Sequence, residues 1–124
     1  SLMTQDFVPV LCAITHDKKG QLLNTNADTI AAQVATAMSE EYDVTLFYCF
    51  EHAGVLKDIN NPNEVIGLIS KEETDAFIVQ GIIHQGMVPK LHNGFDALQN
   101  GVKKVVISNV AALLDTNAPK TILI

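Results

Sequence analysis

Unbroken apolar runs, long enough for a strand and too short for a free-standing helix, recur along this chain and alternate with stretches of helical spacing. Val8-Pro9-Val10-Leu11-Cys12-Ala13-Ile14, Val44 to Phe50 and Val102 to Ser108 are the clearest of them. A run without polar interruption puts apolar side chains on both faces of a strand, so each is expected to be covered on both sides. Between them, Ala27 to Met38 is rich in alanine and repeats Ile30, Val34 and Met38 at the four-residue spacing of a helix face. Ser70 and Glu73 form a capping box that opens a helix through Gln80, with Gly81 placed to end it. Pro89 suits the first turn of a further helix that Gly101 would stop. Val65 to Ile69 reads as a short extended segment, Val110 to Leu114 as a short helix and Thr121 to Ile124 as a closing strand. Strands alternating with helices of about a dozen residues predict an α/β protein: a three-layer α/β/α arrangement around a mostly parallel central sheet.

At 124 residues, 48% hydrophobic and 18% charged, the chain fits one domain with a real core. Its net charge is -6 and all eight basic residues are lysines, which leaves no arginine fork for phosphate or base edges. Nucleic acid and anionic membranes are therefore poor partners. No apolar stretch reaches membrane-span length and no secretory leader is visible, so the cytoplasm is the expected compartment. Cys12 and Cys49 fall inside apolar runs and read as buried thiols rather than a disulfide or metal pair. Ser1 to Asp6 resembles the last turn of a helix running straight into a strand, so the chain is expected to be a piece of something larger.

Ligands of such sheets bind beyond the carboxyl ends of the strands, and three segments follow strands: Asn24 to Asp28, Glu51 to Leu56 and Ile82 to Lys90. The first places two carboxamides and a carboxylate at a helix mouth, and the last places a lone lysine in the first turn of another. A carboxylate and an ammonium brought together there could act on one small anionic group, as in phosphoryl transfer. Plainer readings stand beside this one. Asn24, Asn26 and Asp28 could be turn and cap residues, Lys90 a solvated lysine, His52 and His84 loop residues, and Met87 a core filler. No His-x-x-x-His or Cys-x-x-Cys spacing points to a metal site. Gly81 and Gly86 have the spacing of a P-loop, but Met87-Val88 stands where Lys-Ser/Thr is required. No dinucleotide fingerprint, nucleophile elbow or protein-kinase set is present either.

Taken in order, these pieces carry a resemblance. Gly20 to Thr29, the strand ending in Glu51-His52-Ala53-Gly54-Val55-Leu56, Ser70 to Lys90 and Gly101 to Ile107 together resemble the C-terminal, nucleotide-binding half of the acetylglutamate kinases, within the amino acid kinase family. The most specific parts are Asn24-x-Asn26-Ala27-Asp28 and Gly86-Met87-x-Pro89-Lys90 at their mutual spacing. That resemblance implies an enzyme that moves the γ-phosphoryl group of ATP, with Mg2+, to the side-chain carboxylate of an N-acyl-glutamate in arginine biosynthesis. It implies Lys90 and Asp28 as catalytic groups, with Asn24 and Asn26 at the amino-acid substrate. Glu51, His52, Ala53, Gly54, Val55, Leu56, Ile82, Ile83 and His84 would lie around the nucleotide. It also implies that residues 1–124 form one ATP-binding domain whose partner is a missing N-terminal half, in a homo-oligomer when full length.

The sequence departs from the family's pattern at three places. Phe50-Glu51 stands where a Thr or Ser followed by Asp is usual, and Pro119-Lys120-Thr121 replaces a Gly-Thr. The family's first half, with its glycine-rich loops, second lysine and arginine, is absent. Two further readings stay open: a non-catalytic nucleotide-sensing or interaction domain of the same fold, which Phe50-Glu51 favours, and an amino acid kinase with another substrate.

Overall fold

A computed structural model describes residues 5–124. A hairpin of β1 (Ile14–His16) and β2 (Leu22–Asn24) leads into α1 (Ala27–Met38) and β3 (Thr45–Cys49). After a long loop come β4 (Leu68–Ile69), α2 (Lys71–Val79), α3 (Val88–Gln99), β5 (Lys104–Ser108), α4 (Ala111–Leu114) and β6 (Thr121–Leu123). The main sheet has the order β3-β5-β6-β4. β3 and β5 run parallel, with Thr45 opposite Lys104, as do β4 and β6; β5 and β6 are antiparallel, with Val106 opposite Ile122. The expected mostly parallel sheet flanked by helices is present.

The local signals act where the sequence puts them. Ser70 Oγ accepts the Glu73 N–H at 3.2 Å while the Glu73 carboxylate accepts the Ser70 N–H at 3.0 Å, which closes the capping box of α2. Gly81 follows at φ +72, a left-handed value that stops the helix at little steric cost. Strand alternation directs Leu46 and Tyr48 of β3 and Val105 and Ile107 of β5 toward one core, where they meet Ala32, Ala35, Leu91 and Phe95 of the helices. At Gly94 a Cβ would lie 2.7 Å from Leu123 Cδ2, so this glycine lets α3 settle directly on the sheet. Val106, which alternation sends to the opposite face, is buried as well, so the centre of the sheet is covered on both sides.

Two expectations are corrected. The run Val8 to Ile14 is not a covered strand: residues 7–12 carry no strand, only Ile14 belongs to β1, and Phe7, Val8, Val10, Leu11 and Ile14 are exposed. Unbroken apolarity calls for neighbours on both faces, and none of the described residues supplies them. Cys12 and Cys49 are exposed free thiols rather than buried ones. Cys12 shares the uncovered run, and Cys49 ends β3, which among the described residues is an edge strand paired with β5. On α1 the buried residues are Ala32 and Ala35. Ile30, Val34 and Met38 share one side of the helix, as their spacing implies, and border an open groove with Leu11, Ala13 and Val44. The helical turn expected at Ser1 to Asp6 falls mainly outside the described residues.

Candidate functional site

Two helices begin side by side at the carboxyl end of β3, and each brings one charged group. α1 starts at Asn26, whose Oδ1 accepts the N–H groups of Asp28 and Thr29 at 2.8 and 3.2 Å. This is an N-cap, the plainer of the roles weighed for Asn26, and it leaves the side-chain nitrogen as the donor it can offer elsewhere. The cap places Asp28 in the first turn, where the exposed backbone N–H groups favour an anion. α3 starts after Met87 with Pro89 in its first turn, which puts Lys90 there too.

The two groups meet. Lys90 Nζ donates to Asp28 Oδ2 at 2.9 Å, and their side chains are only 16% and 19% exposed. Lys90 is thus not the solvated lysine of the plainer reading. Helix packing alone would disfavour an ammonium beside two helix N-termini, and the carboxylate offsets that repulsion. β3 supports the pair from below. Tyr48 donates its hydroxyl to the backbone carbonyl of Asp28 at 2.9 Å, and burial, with the nearby Asp28 charge as a smaller cause, pushes its pKa up to about 12. Two residues along, Phe50 presents its ring 5.6 Å from Lys90 Nζ, within range of a weak cation–π contact, and its edge geometry with His52 has the ring centroids 5.3 Å apart.

Beyond Phe50 a cleft of about 490 Å3 opens. Its walls come from both segments expected around a nucleotide: Glu51, His52, Gly54, Val55 and Leu56 on one side, Ile82, Ile83 and His84 on the other. Of that expected set only Ala53 is not on the wall. Glu51 and His52 approach each other at 3.6 Å at the rim. Gly54 has φ +152, and a Cβ there would lie 2.6 Å from Thr121 Oγ1 and 2.7 Å from Val65 Cγ1. The close approach that needs glycine here is thus made by β6 beneath the loop. Asn24, at the end of β2, is exposed, and the structure gives its side chain no recorded partner among the described residues.

Sequence reasoning missed Tyr48 and Phe50 as parts of this arrangement. Both lay inside an apolar run, where only the two-residue alternation toward the strand's carboxyl end could have singled them out. Ile59, Gly86 and Met87 also line the cleft; Met87 is buried, in keeping with its reading as a filler. Chemically, the ensemble is an apolar slot with hydrogen-bonding groups at its rim and one positioned cation, Lys90, next to the Phe50 ring that lines it. Such a slot suits a flat apolar ring carrying an anionic tail.

Residues 1–109 match the family model described as the amino acid kinase family. The chain is 51% identical to an acetylglutamate kinase of Phocaeicola vulgatus over 113 residues, covering 91% of this chain and 44% of the relative. It is 45% identical to an acetylglutamate kinase of Bacteroides thetaiotaomicron, covering 96% of this chain and 46% of the relative. The chain therefore spans just under half the length of these relatives. Among solved structures, a Streptococcus mutans protein superposes with a TM-score of 0.78 at 26% identity, over 98% of this chain and 44% of that one. A Giardia lamblia carbamate kinase bound to AMP-PNP gives 0.64 at 16% identity, over 90% of this chain and 40% of that one, and shares the fold. This chain belongs to the amino acid kinase family.

Proposed function

We propose that the chain is the nucleotide-binding half of an acetylglutamate kinase, which transfers the γ-phosphoryl group of ATP to the side-chain carboxylate of an N-acyl-glutamate. The observation that carries this is the Lys90 ammonium, held by Asp28 at 2.9 Å and standing 5.6 Å from the ring of Phe50, which lines the apolar cleft. The names of the relatives support the substrate. Phosphoryl transfer passes through a loose state with charge spread over oxygens, so the protein's task is to position cations and dipoles. Lys90 meets that demand as a point charge, and Asp28 aims it. Asn24, with the amide nitrogen of Asn26, contacts the amino-acid substrate.

The cleft walls fit an adenosine. Ile82, Ile83 and Val55 offer apolar surface, and Glu51 can accept a hydrogen bond from a ribose hydroxyl. No three acidic, His or Cys groups of the described residues converge as a metal cage. Mg2+ would therefore be carried on the nucleotide phosphates, where it would neutralise part of the developing charge. The uncovered apolar run and the open edge of β3 support a further half of the polypeptide as partner; no helix of the described residues is long and apolar enough to cross a membrane.

Lys90→Ala in the full-length protein tests the reading. Turnover should fall by about 10³-fold or more with the fold retained; unchanged turnover in a folded variant would sink the assignment. A second reading, a nucleotide-sensing domain without chemistry, draws on Phe50-Glu51 beside Lys90. Calorimetric binding of Mg-ATP by a full-length protein that turns over no acyl-glutamate would favour it.

A further inference from the structure

The cleft floor is fastened to the sheet by two buried hydroxyls that no nucleotide could touch. Thr121, the first residue of β6, is 0% exposed. Its Oγ1 accepts the Val55 N–H at 2.8 Å and donates to the Ile66 carbonyl at 2.6 Å. Ser108, the last residue of β5, is also 0% exposed, and its Oγ lies 2.8 Å from the Pro119 carbonyl and 3.1 Å from the Ala53 carbonyl. Its single proton is shared between those two acceptors.

These contacts fall on a segment with little other support. Glu51 to Leu56 lies outside the named strands; Leu56 makes one isolated bridge to Val65, and Ile66 N–H donates to the Val55 carbonyl at 2.8 Å. Val55 is 2% exposed, and a side-chain oxygen rather than a sheet ladder takes up its N–H. Without that oxygen the N–H would be buried and unpaired, and the loop would move to find water. Gly54, lacking a Cβ, lets Thr121 come close enough to make the bond.

We infer that Thr121, backed by Ser108, is the positioning residue that sets the Ala53–Leu56 backbone for nucleotide binding. The inference rests on the nucleotide reading of the cleft. Thr121→Val keeps the shape and removes the oxygen; Thr121→Ser restores it. In the whole chain, Mg-ATP binding by calorimetry and amide hydrogen exchange at Val55 are read together. In Thr121→Val, exchange at Val55 should quicken and the Kd for Mg-ATP should rise about tenfold, the equivalent of one orphaned amide. Exchange at Leu91 and Phe95 should not change, and Thr121→Ser should recover both readouts.

A loosened Val55 amide with unchanged Kd would overturn the positioning role and leave the nucleotide reading standing. A wild-type chain with a protected Val55 amide and no heat of Mg-ATP binding would overturn the nucleotide reading, and this inference with it. Should Thr121→Val not fold, Ser108→Ala frees only the Ala53 and Pro119 carbonyls and should still weaken Mg-ATP about threefold. Wild-type affinity in that variant would make both hydroxyls purely structural.

Discussion

Lys90 Nζ and Asp28 Oδ2 lie 2.9 Å apart although 62 residues separate them, and the helices that carry them treat the two charges in opposite ways. Each is in the first turn of its helix. A helix N-terminus favours the aspartate and disfavours the lysine, by about 0.3–1 kcal/mol each. The pair is therefore unequal: Asp28 would be comfortable alone, and Lys90 would not.

That inequality makes a prediction about stability. Asp28→Asn strands a mostly buried ammonium beside two helix mouths and should cost about 1–3 kcal/mol. Lys90→Met removes the cation, leaves Asp28 facing its own helix amides, and should cost less than about 1 kcal/mol. Urea unfolding at matched slopes measures both. A Lys90→Met variant as destabilised as Asp28→Asn would show that the helix dipoles do not govern the pair.

Tyr48 couples the pair to alkaline pH. Its pKa lies at about 12 in the folded chain against an ordinary 10.0, chiefly through burial. The folded state thus holds a proton that the unfolded chain releases. The resulting stability is complete below about pH 10 and is lost as pH rises toward 12. Tyr48→Phe should lose about 1 kcal/mol at neutral pH, the worth of its hydrogen bond to Asp28 O. Between pH 10 and 12 the gap between wild type and variant should close; a gap that stays constant would remove Tyr48 as the cause.

The parts of this arrangement that were legible in the sequence are those written in local chemistry. Asn26 as a cap, the Ser70–Glu73 box, Pro89 at the start of α3 and Gly81 at the end of α2 depend on backbone groups within four residues, so spacing alone specifies them. The rule that ligands lie beyond strand ends singled out the segments of Asp28 and Lys90. Asp28, however, follows β2 of the separate hairpin and Lys90 follows α2, so the two converge through the packing of α1 against α3. What could not be read was decided by neighbours distant in sequence. Thr121 looks like any strand threonine until Val55, 66 residues away, lends it an N–H. Cys12, Cys49 and the run from Phe7 were misjudged for the same reason: apolar composition states that a surface needs covering and not whether anything covers it.

At Gly54 the argument is steric. A Cβ would fall 2.6 Å from Thr121 Oγ1 and 3.0 Å from the Thr121 backbone nitrogen, at a φ that side chains avoid. Backbone cannot yield as a flexible side chain can, so Gly54→Ala should cost about 2 kcal/mol or more. Gly67, with nothing within 4 Å of its Cβ position, is the control, and Gly67→Ala should stay within about 0.5 kcal/mol. Thermal midpoints of the two variants give the comparison, and equal values would contradict it.

The uncovered run makes the last prediction. Val8 and Val10 are 86% and 93% exposed, beside Phe7 and Leu11 at 60% and 62%. A contiguous apolar surface of this kind drives association unless something covers it. By itself the chain should bind a hydrophobic dye and sediment as a concentration-dependent mixture. Val8→Lys with Val10→Lys should suppress both effects. Stability should change by no more than about 0.5 kcal/mol, since these side chains are already in water and lose no packing. If the double variant instead unfolds the chain, the run is packed against the domain in solution. If it leaves association intact, the sticky surface lies elsewhere, and the groove between α1 and β3, bordered by Ile30, Val34 and Met38, becomes the next place to introduce charge.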